Sequence, residues 1–516
     1  MFGFFSKNHD DAINGRIEDL NSGLRDIPVS DSLDENVNLL RKLFTDVDLL
    51  RLRFIQSGSK KTQKYCIAYC DGVVNSTVIN DNIIKPLMLS SVSGSGPDFT
   101  DDLLNHVLMV DGAEKATEYQ AITEAISYGD TVLFADGTDE AIILNTKCFQ
   151  IRPISEPDNE KNLSGPREGF TESLLSNLSL IRRKVRSNEL KVKYYTLGQK
   201  TKTQAGICYI EGIVNKQILK ELYRRLDAID IDGVLDTQYI TELIRDSPMS
   251  PFRATGYTER PDVVVGKLLE GRIAIFLDGT PDVLTVPYLF IENFQSSEDY
   301  YLSFYYTSFS RILRILAFLV TASLPGFYVA MAGYHHEMLP TPFLLNIASE
   351  RNSVPFPAAL EAFVMLLVFD ILRETGIRMP TSVGQALSIV GALVIGQAAV
   401  DAKLVASPMI IVVATTGITS LLVPKMNAPL IYIRFFILLL SMWFGFTGTI
   451  AAISCVIIHM LNLHSFGIPQ ISLSGKLQYQ EVKDTYIRAP WWQMLIRPKM
   501  LARDKVRMKA QNGEKP

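Results

Sequence analysis

A chain of 516 residues, 47% of them hydrophobic, is long enough for two to four domains with large cores. Its formal charge of -4 supplies no basic field of the kind that phosphate contacts demand, which excludes nucleic acid as a partner. Five scattered cysteines with no Cys-x-x-Cys pair exclude a zinc site and a disulfide framework, so reduced thiols are expected.

In chain order, a polar N-terminal segment (1–30) comes first, and its apolar start, Met1 to Phe5, is too short for a signal peptide. Charges are then spread evenly to about Tyr301, and this stretch reads as a duplication. Leu50–Phe54 (LRLRF) matches Leu190–Tyr194 (LKVKY), and Tyr69–Asn75 (YCDGVVN) matches Tyr209–Asn215 (YIEGIVN), both 140 positions apart; Asp136 and Asp278, each in Asp-Gly-Thr, are 142 apart. The expectation is two α/β subdomains, 31–160 and 161–300, each running strand, strand, helix, helix, strand, turn, strand. Gly129 and Gly271 close the second helix of each copy as left-handed caps.

Asp-Gly-Thr between apolar runs raises the question of a phosphoryl-transfer aspartate. The companion acid of Asp-x-Asp-Gly-Thr is missing, with Ala135 and Leu277 just before the aspartates, whereas Asp-Gly is what a tight hairpin turn uses. Scaffold is therefore expected rather than catalysis. The second copy adds GPREGFTES from Gly165, opening a helix whose Arg182, Arg183, Lys184 and Arg186 read as a solvated face, and TERPD from Thr258, with Glu259 and Arg260 paired locally. There is no Walker loop, no GxGxxG motif and no nucleophile beside a base, so the chain reads as a non-enzyme without cofactor or metal.

From Ile315 to Leu463 apolar runs of membrane length dominate, which predicts a polytopic α-helical membrane domain (301–465). Candidate spans are Ile315–Tyr334, Val383–Val400 and Ala406–Val423, joined by Pro357–Gly376, which carries Glu361 and Asp370. Leu430–Leu463 would be about 51 Å long as one helix, against a core of about 30 Å, so it must tilt, protrude or break near Gly445 and Gly448. Gly384, Ser388, Ala392 and Gly396 form a small-residue packing face. Asp370 pairs with Arg373 one turn ahead. His335 and His336 are adjacent on the chain and read as interfacial rather than metal-binding. The basic tail (466–516) has eight Lys/Arg and two Asp/Glu from Arg488 on, preceded in effect by the interfacial pair Trp491 and Trp492. With Arg311 and Arg314 before the first span, it argues for a cytoplasmic N-terminal domain, a cytoplasmic tail and an even number of crossings, four or six.

These stretches, with FLDGTPDVLTVP, SEDYY, SVPFPAALEA, LRETGIRMP, VGQALSIVGALVIGQAAVDA and ASPMIIVVA, resemble the A subunit of GerA-type spore germinant receptors. The resemblance implies a subunit of the inner spore membrane that works with a multispanning, nutrient-holding B subunit and a C lipoprotein. It also implies a homo-oligomeric ring, read as a pentamer, that releases cations as a nutrient-gated channel. The alternatives are a secondary transporter, which needs inverted repeats in the membrane half, or an accessory germination protein without its own pore. In a ring, Glu361 would recur as a carboxylate collar, with Met365, Val368 and Leu372 on the same helix face as an apolar constriction.

Overall fold

The computed structural model describes residues 27–57, 63–90, 94, 96–147, 160, 164–378, 391, 394–471, 484–494, 497 and 501–502. The chain forms two compact units: 1–245 with 255–287 and 496–516, and 246–254 with 288–495.

The first unit holds two copies of one architecture. Repeat one runs α1 (Leu33–Leu43), β1 (Leu50–Ser57), β2 (Gln63–Cys70), α2 (76–89), α3 (97–107), β3 (Ala113–Ala116), α4 (Tyr119–Tyr128), β4 (Thr131–Ala135) and β5 (Ala141–Leu144). Repeat two runs α5 (Leu174–Lys184), β6 (Leu190–Leu197), β7 (Thr203–Ile210), α6 (Lys216–Asp227), α7 (Thr237–Ile244), β8 (Gly256–Thr258), α8 (Pro261–Leu269), β9 (Ile273–Leu277) and β10 (Val283–Val286). The sheet orders are β1-β2-β4-β5-β3 and β6-β7-β9-β10-β8. Registers also repeat: Leu50 faces Cys70 as Leu190 faces Ile210, and Tyr65 faces Ala135 as Ala205 faces Leu277.

Every pairing in these sheets is antiparallel, so the helices do not serve as parallel crossovers. They pack against the central strands instead: α1 and α4 on β2 and β4, and α5 and α8 on β7 and β9. The element order expected from sequence lacked α1, the middle helices α3 and α7 and the short strands β3 and β8. The helix opened by GPREGFTES is therefore no addition to the second copy, since α1 is its counterpart. A strand of three or four residues carries too little alternation to be recognised.

The drift from 140 to 142 also has a place. α2 and α6 start 140 apart, as do α3 and α7, but β3 and β8 are 142 apart by their ladder partners. α7 stops at Ile244, where α3 would have run three residues further, because Pro248 and Pro251 follow; proline lacks the N–H and crowds the preceding turn. The resulting loop, 246–254, belongs to the second unit.

That second unit is helical: α9 (Phe304–Tyr334), α10 (Thr341–Asn352), α11 (Ala358–Arg378), α12 (Ser407–Leu421) and α13 (Asn427–Leu461). Two described helices are long and apolar enough to cross a bilayer, Phe304–Tyr334 and Pro424–Leu461, while Ser407–Leu421 is apolar but shorter. α13 breaks where the sequence required it to: Gly445 has φ 58° and ψ -136°. The chain turns back there. Ser441 Oγ lies 2.7 Å from Thr449 Oγ1, and a Cβ on Gly448 would lie 2.1 Å from the Leu440 carbonyl oxygen, although eight residues of straight helix span about 12 Å. α13 is thus a hairpin of two antiparallel arms, 427–444 and 446–461. Leu430, Ile433 and Ile437 of one arm share an apolar cluster with Ala452 of the other and with Ala317, Phe318 and Ala322 of α9.

Candidate functional site: buried charges in the helical unit

α9 begins in a collar of ion pairs. Arg311, fully buried, donates from Nε to Asp299 (2.8 Å) and from Nη1 to Asp484 (2.9 Å), and Arg314 donates to the other oxygen of Asp299 (3.0 Å). Tyr300 donates to Asp484 at 2.8 Å, and Arg488 donates to the Leu302 carbonyl at 2.9 Å. Arg311 and Arg314 are therefore paired with carboxylates, Asp299 just before the helix and, for Arg311, Asp484 far along the chain, and are not free charges at a membrane surface. Around this collar Tyr305, Tyr306, Phe309, Trp491 and Trp492 are exposed, and Trp491 and Trp492 lie against the rings of Tyr300 and Phe304. Amphipathic aromatic rings in a band suit the lipid–water boundary.

Further along, α11 runs antiparallel to α9. Its first turns, Ala358, Ala359 and Ala362, cluster with Tyr328, Val329 and Ala332, near the end of α9. α12 runs the same way as α11, from Met409 in that cluster to Thr419, whose hydroxyl lies 2.7 Å from that of Thr321. Two glycines permit the close approaches. A Cβ on Gly326 would lie 2.7 Å from Ile437 of α13, and one on Gly417 would lie 2.5 Å from the Phe369 ring of α11. Of the four small residues expected to form a packing face, Gly384, Ser388 and Ala392 lie outside the described residues; Gly396 is buried, with Ile410 at van der Waals distance from its would-be Cβ.

Three ionisable side chains are held inside this bundle. Glu361 is 3% exposed; Oε2 accepts the Ala406 N–H at 3.1 Å, and Oε1 has no hydrogen-bond partner. Met365 is buried beside it, and Val368 and Leu372 are half-buried, whereas Leu360, Phe363, Val364, Leu367 and Ile371 form the exposed face of α11. Asp370 is ion-paired with Arg434 of α13, whose side chain is 1% exposed; Arg373 stands 3.9 Å from the other carboxylate oxygen. The expected Asp370–Arg373 contact is thus the looser of two. Arg434 was legible as a lone cation in an apolar run, a feature that within a membrane calls for an acidic partner. At the far end, Tyr334 donates its hydroxyl to the Met442 carbonyl freed by the break at Gly445, and His335 packs on Phe446 while His336 is exposed.

In the soluble unit the Asp-Gly-Thr aspartates sit at equivalent hairpin turns, with Gly137 at φ 85° and Gly279 at φ 94°. They also cap helices: Asp136 Oδ1 accepts the Leu33 N–H (3.3 Å) and Asp278 Oδ1 the Leu174 N–H (3.0 Å), at the starts of α1 and α5. One local expectation is corrected. Arg182 is fully buried and donates to the Ser187 and Leu190 carbonyls, Arg183 and Lys184 pair with Glu168, and Arg186 stacks on Tyr128 at 3.8 Å, so this cluster is not a solvated face. Arg260 pairs with Asp262 (2.9 Å) and donates to the Pro166 carbonyl, which joins TERPD to GPREGFTES. Among the described residues no group of His, Cys, Asp and Glu is arranged to hold a metal ion.

A duplicated antiparallel α-and-β domain followed by a helical unit with buried charges defines a membrane-associated protein with a large soluble head. The comparisons give the family. A family model described as Bacillus/Clostridium GerA spore germination protein matches residues 38–500, and the chain belongs to that family, in the group of germinant-receptor A subunits. It is 40% identical to spore germination protein KA of Bacillus subtilis over 94% of this chain and 89% of that protein. It is 34% identical to spore germination protein B1 of the same organism, over 91% and 97%. A crystal structure of the N-terminal domain of the A subunit of the Bacillus megaterium germinant receptor GerK3 aligns at 29% identity and a TM-score of 0.41, over 51% of this chain and 98% of that one. Members of the family are receptor components and not enzymes.

Proposed function

We propose that the chain is the A subunit of a nutrient-responsive germinant receptor in the inner spore membrane, acting with a nutrient-binding B subunit and a C lipoprotein, and that it oligomerises into a cation-release channel. Family membership over nearly the whole chain supports the receptor assignment. The observation that carries ion conduction is the set of ionisable groups inside the helical unit, because charge at membrane depth is costly and is kept where it serves a pathway. On this reading the chain crosses the bilayer an even number of times, four or six, and the two arms of α13 enter and return. The N-terminal domain and the tail then share the cytoplasmic side.

Glu361, Met365, Val368 and Leu372 are the proposed pore stripe. The conformation described here is then the closed one, with the carboxylate tied to the Ala406 N–H and its second oxygen unpartnered. Opening frees Glu361 toward the conduction path, and Val368 closes the path by dewetting. The test is ion flux from vesicles holding the chain alone and with B and C subunits. Nutrient-dependent cation flux is expected only in the complex, weakened by Glu361→Gln with assembly intact, and Val368→Ala is expected to leak without nutrient. Solute counter-transport would favour a secondary transporter. Unchanged basal flux in Val368→Ala together with altered selectivity in Asp370→Asn would assign the pore to another face of α11.

A further inference from the structure

The two repeats differ at one equivalent place. In repeat one the chain leaving β5 stays beside the sheet: Lys147 bridges Val74 in antiparallel fashion, the Asn75 N–H donates to the Thr146 carbonyl at 2.8 Å, and Lys147 pairs with Asp130 at 3.0 Å. The matching residue of Val74 in repeat two is Val214. Residues 142 positions after Thr146 and Lys147 are Tyr288 and Leu289, which belong to the helical unit and leave this place unfilled by the local chain. Ala502 fills it, bridging Val214 in the same antiparallel sense.

We infer that repeat two carries a docking slot for a peptide segment, and that its occupant is the chain's own C-terminal segment, held through Arg497, Leu501 and Ala502. Three features make the slot specific. Arg497 donates from Nε to the Leu269 carbonyl at 2.7 Å, one of the carbonyls a helix end leaves without an intrahelical donor. Leu501 is fully buried. Gly271, at φ 91°, is held to glycine both by its backbone and by the docked segment, because a Cβ built on it would lie 2.9 Å from the Ala502 Cα. The recognised chemistry is thus an arginine and, four positions on, a buried apolar residue beside the bridging Ala502. Arg272 donates to the Pro287 carbonyl at 2.7 Å, so the turn 269–272 holds both the outgoing chain and the returning one. The slot has the ingredients of a latch on the head, and it is independent of whether the protein conducts ions.

Hydrogen exchange on the detergent-solubilised full chain tests this. Leu501→Asp is expected to raise exchange in 213–216 and 269–272 roughly tenfold while the β1–β2 ladder of repeat one is unaffected. Added peptide with the sequence of 495–504 is expected to restore protection, and the same peptide carrying the aspartate is not. Unchanged exchange in the variant, or no rescue by the peptide, would overturn the slot. As a second measurement, Val214→Cys with Ala502→Cys places two thiols on directly bridged residues, within disulfide reach. A disulfide within one chain is expected; a disulfide between two chains would show that the occupant is a second copy's tail, and none at all would again overturn the proposal.

Discussion

Asp278 illustrates how a side chain can look catalytic and be structural. Its position in Asp-Gly-Thr is set by the hairpin, and its carboxylate accepts a helix N-terminal N–H that has no partner within the helix. Asparagine keeps that acceptor oxygen and tolerates the same backbone, so Asp278→Asn should assemble and function normally. Alanine removes the acceptor, and Asp278→Ala should cost about 1 kcal/mol, the usual value of a lost N-terminal cap, read as a lower midpoint in denaturant unfolding of the head. The same pair of substitutions at Asp136 should behave alike, since Leu33 stands where Leu174 does. Loss of function in Asp278→Asn with normal assembly would reopen the chemical reading.

At the scale of elements, what was legible followed from local chemistry. Asp-Gly at two hairpins, glycine after α4 and α8, and a helix too long for a bilayer each carry their own signal, and the structure has a turn, a left-handed glycine and a break at those places. What was missed depends on partners far apart in sequence. Nothing near Arg311 announces Asp484, and nothing near Asp370 announces Arg434, 64 positions on. Buried Arg182 was read as surface for a different reason: its acceptors are nearby in sequence but are main-chain carbonyls, which every residue has. The Asp370–Arg434 pair joining α11 to α13 yields an element-scale prediction. Asp370→Leu alone leaves a buried guanidinium uncompensated and should destabilise the helical unit by about 3–5 kcal/mol, as should Arg434→Leu. The double substitution should recover most of that loss, because two apolar side chains pack without desolvating charge. Thermal unfolding of the four proteins in one detergent gives the coupling; additive losses would mean the pair is not a unit.

For the whole molecule, on the proposed topology, the break at Gly445 bears on the parity of crossings. A single long helix from Asn427 to Leu461 would put the tail opposite the head, whereas two antiparallel arms return the chain to the side it left. The return of Ala502 to Val214 agrees with the second arrangement, since a tail on the opposite side of a bilayer could not bridge a residue of the head. The apex is marked by Thr447, which is exposed, and α9 ends beside it, with Tyr334 bonded to the Met442 carbonyl and His336 exposed just beyond. Cys455 is also exposed and, with Cys148, must first become serine, while Cys66, Cys70 and Cys208 are buried. In that background, an impermeant thiol reagent added outside sealed vesicles of cytoplasm-inside orientation should label Thr447→Cys and His336→Cys. It should spare Lys200→Cys in the head and Asn512→Cys in the tail until the membrane is opened. Labelling of Asn512→Cys without Lys200→Cys would mean an odd number of crossings. The hairpin would then be a re-entrant loop or a straight span, and the docking of the tail on repeat two would fall with it.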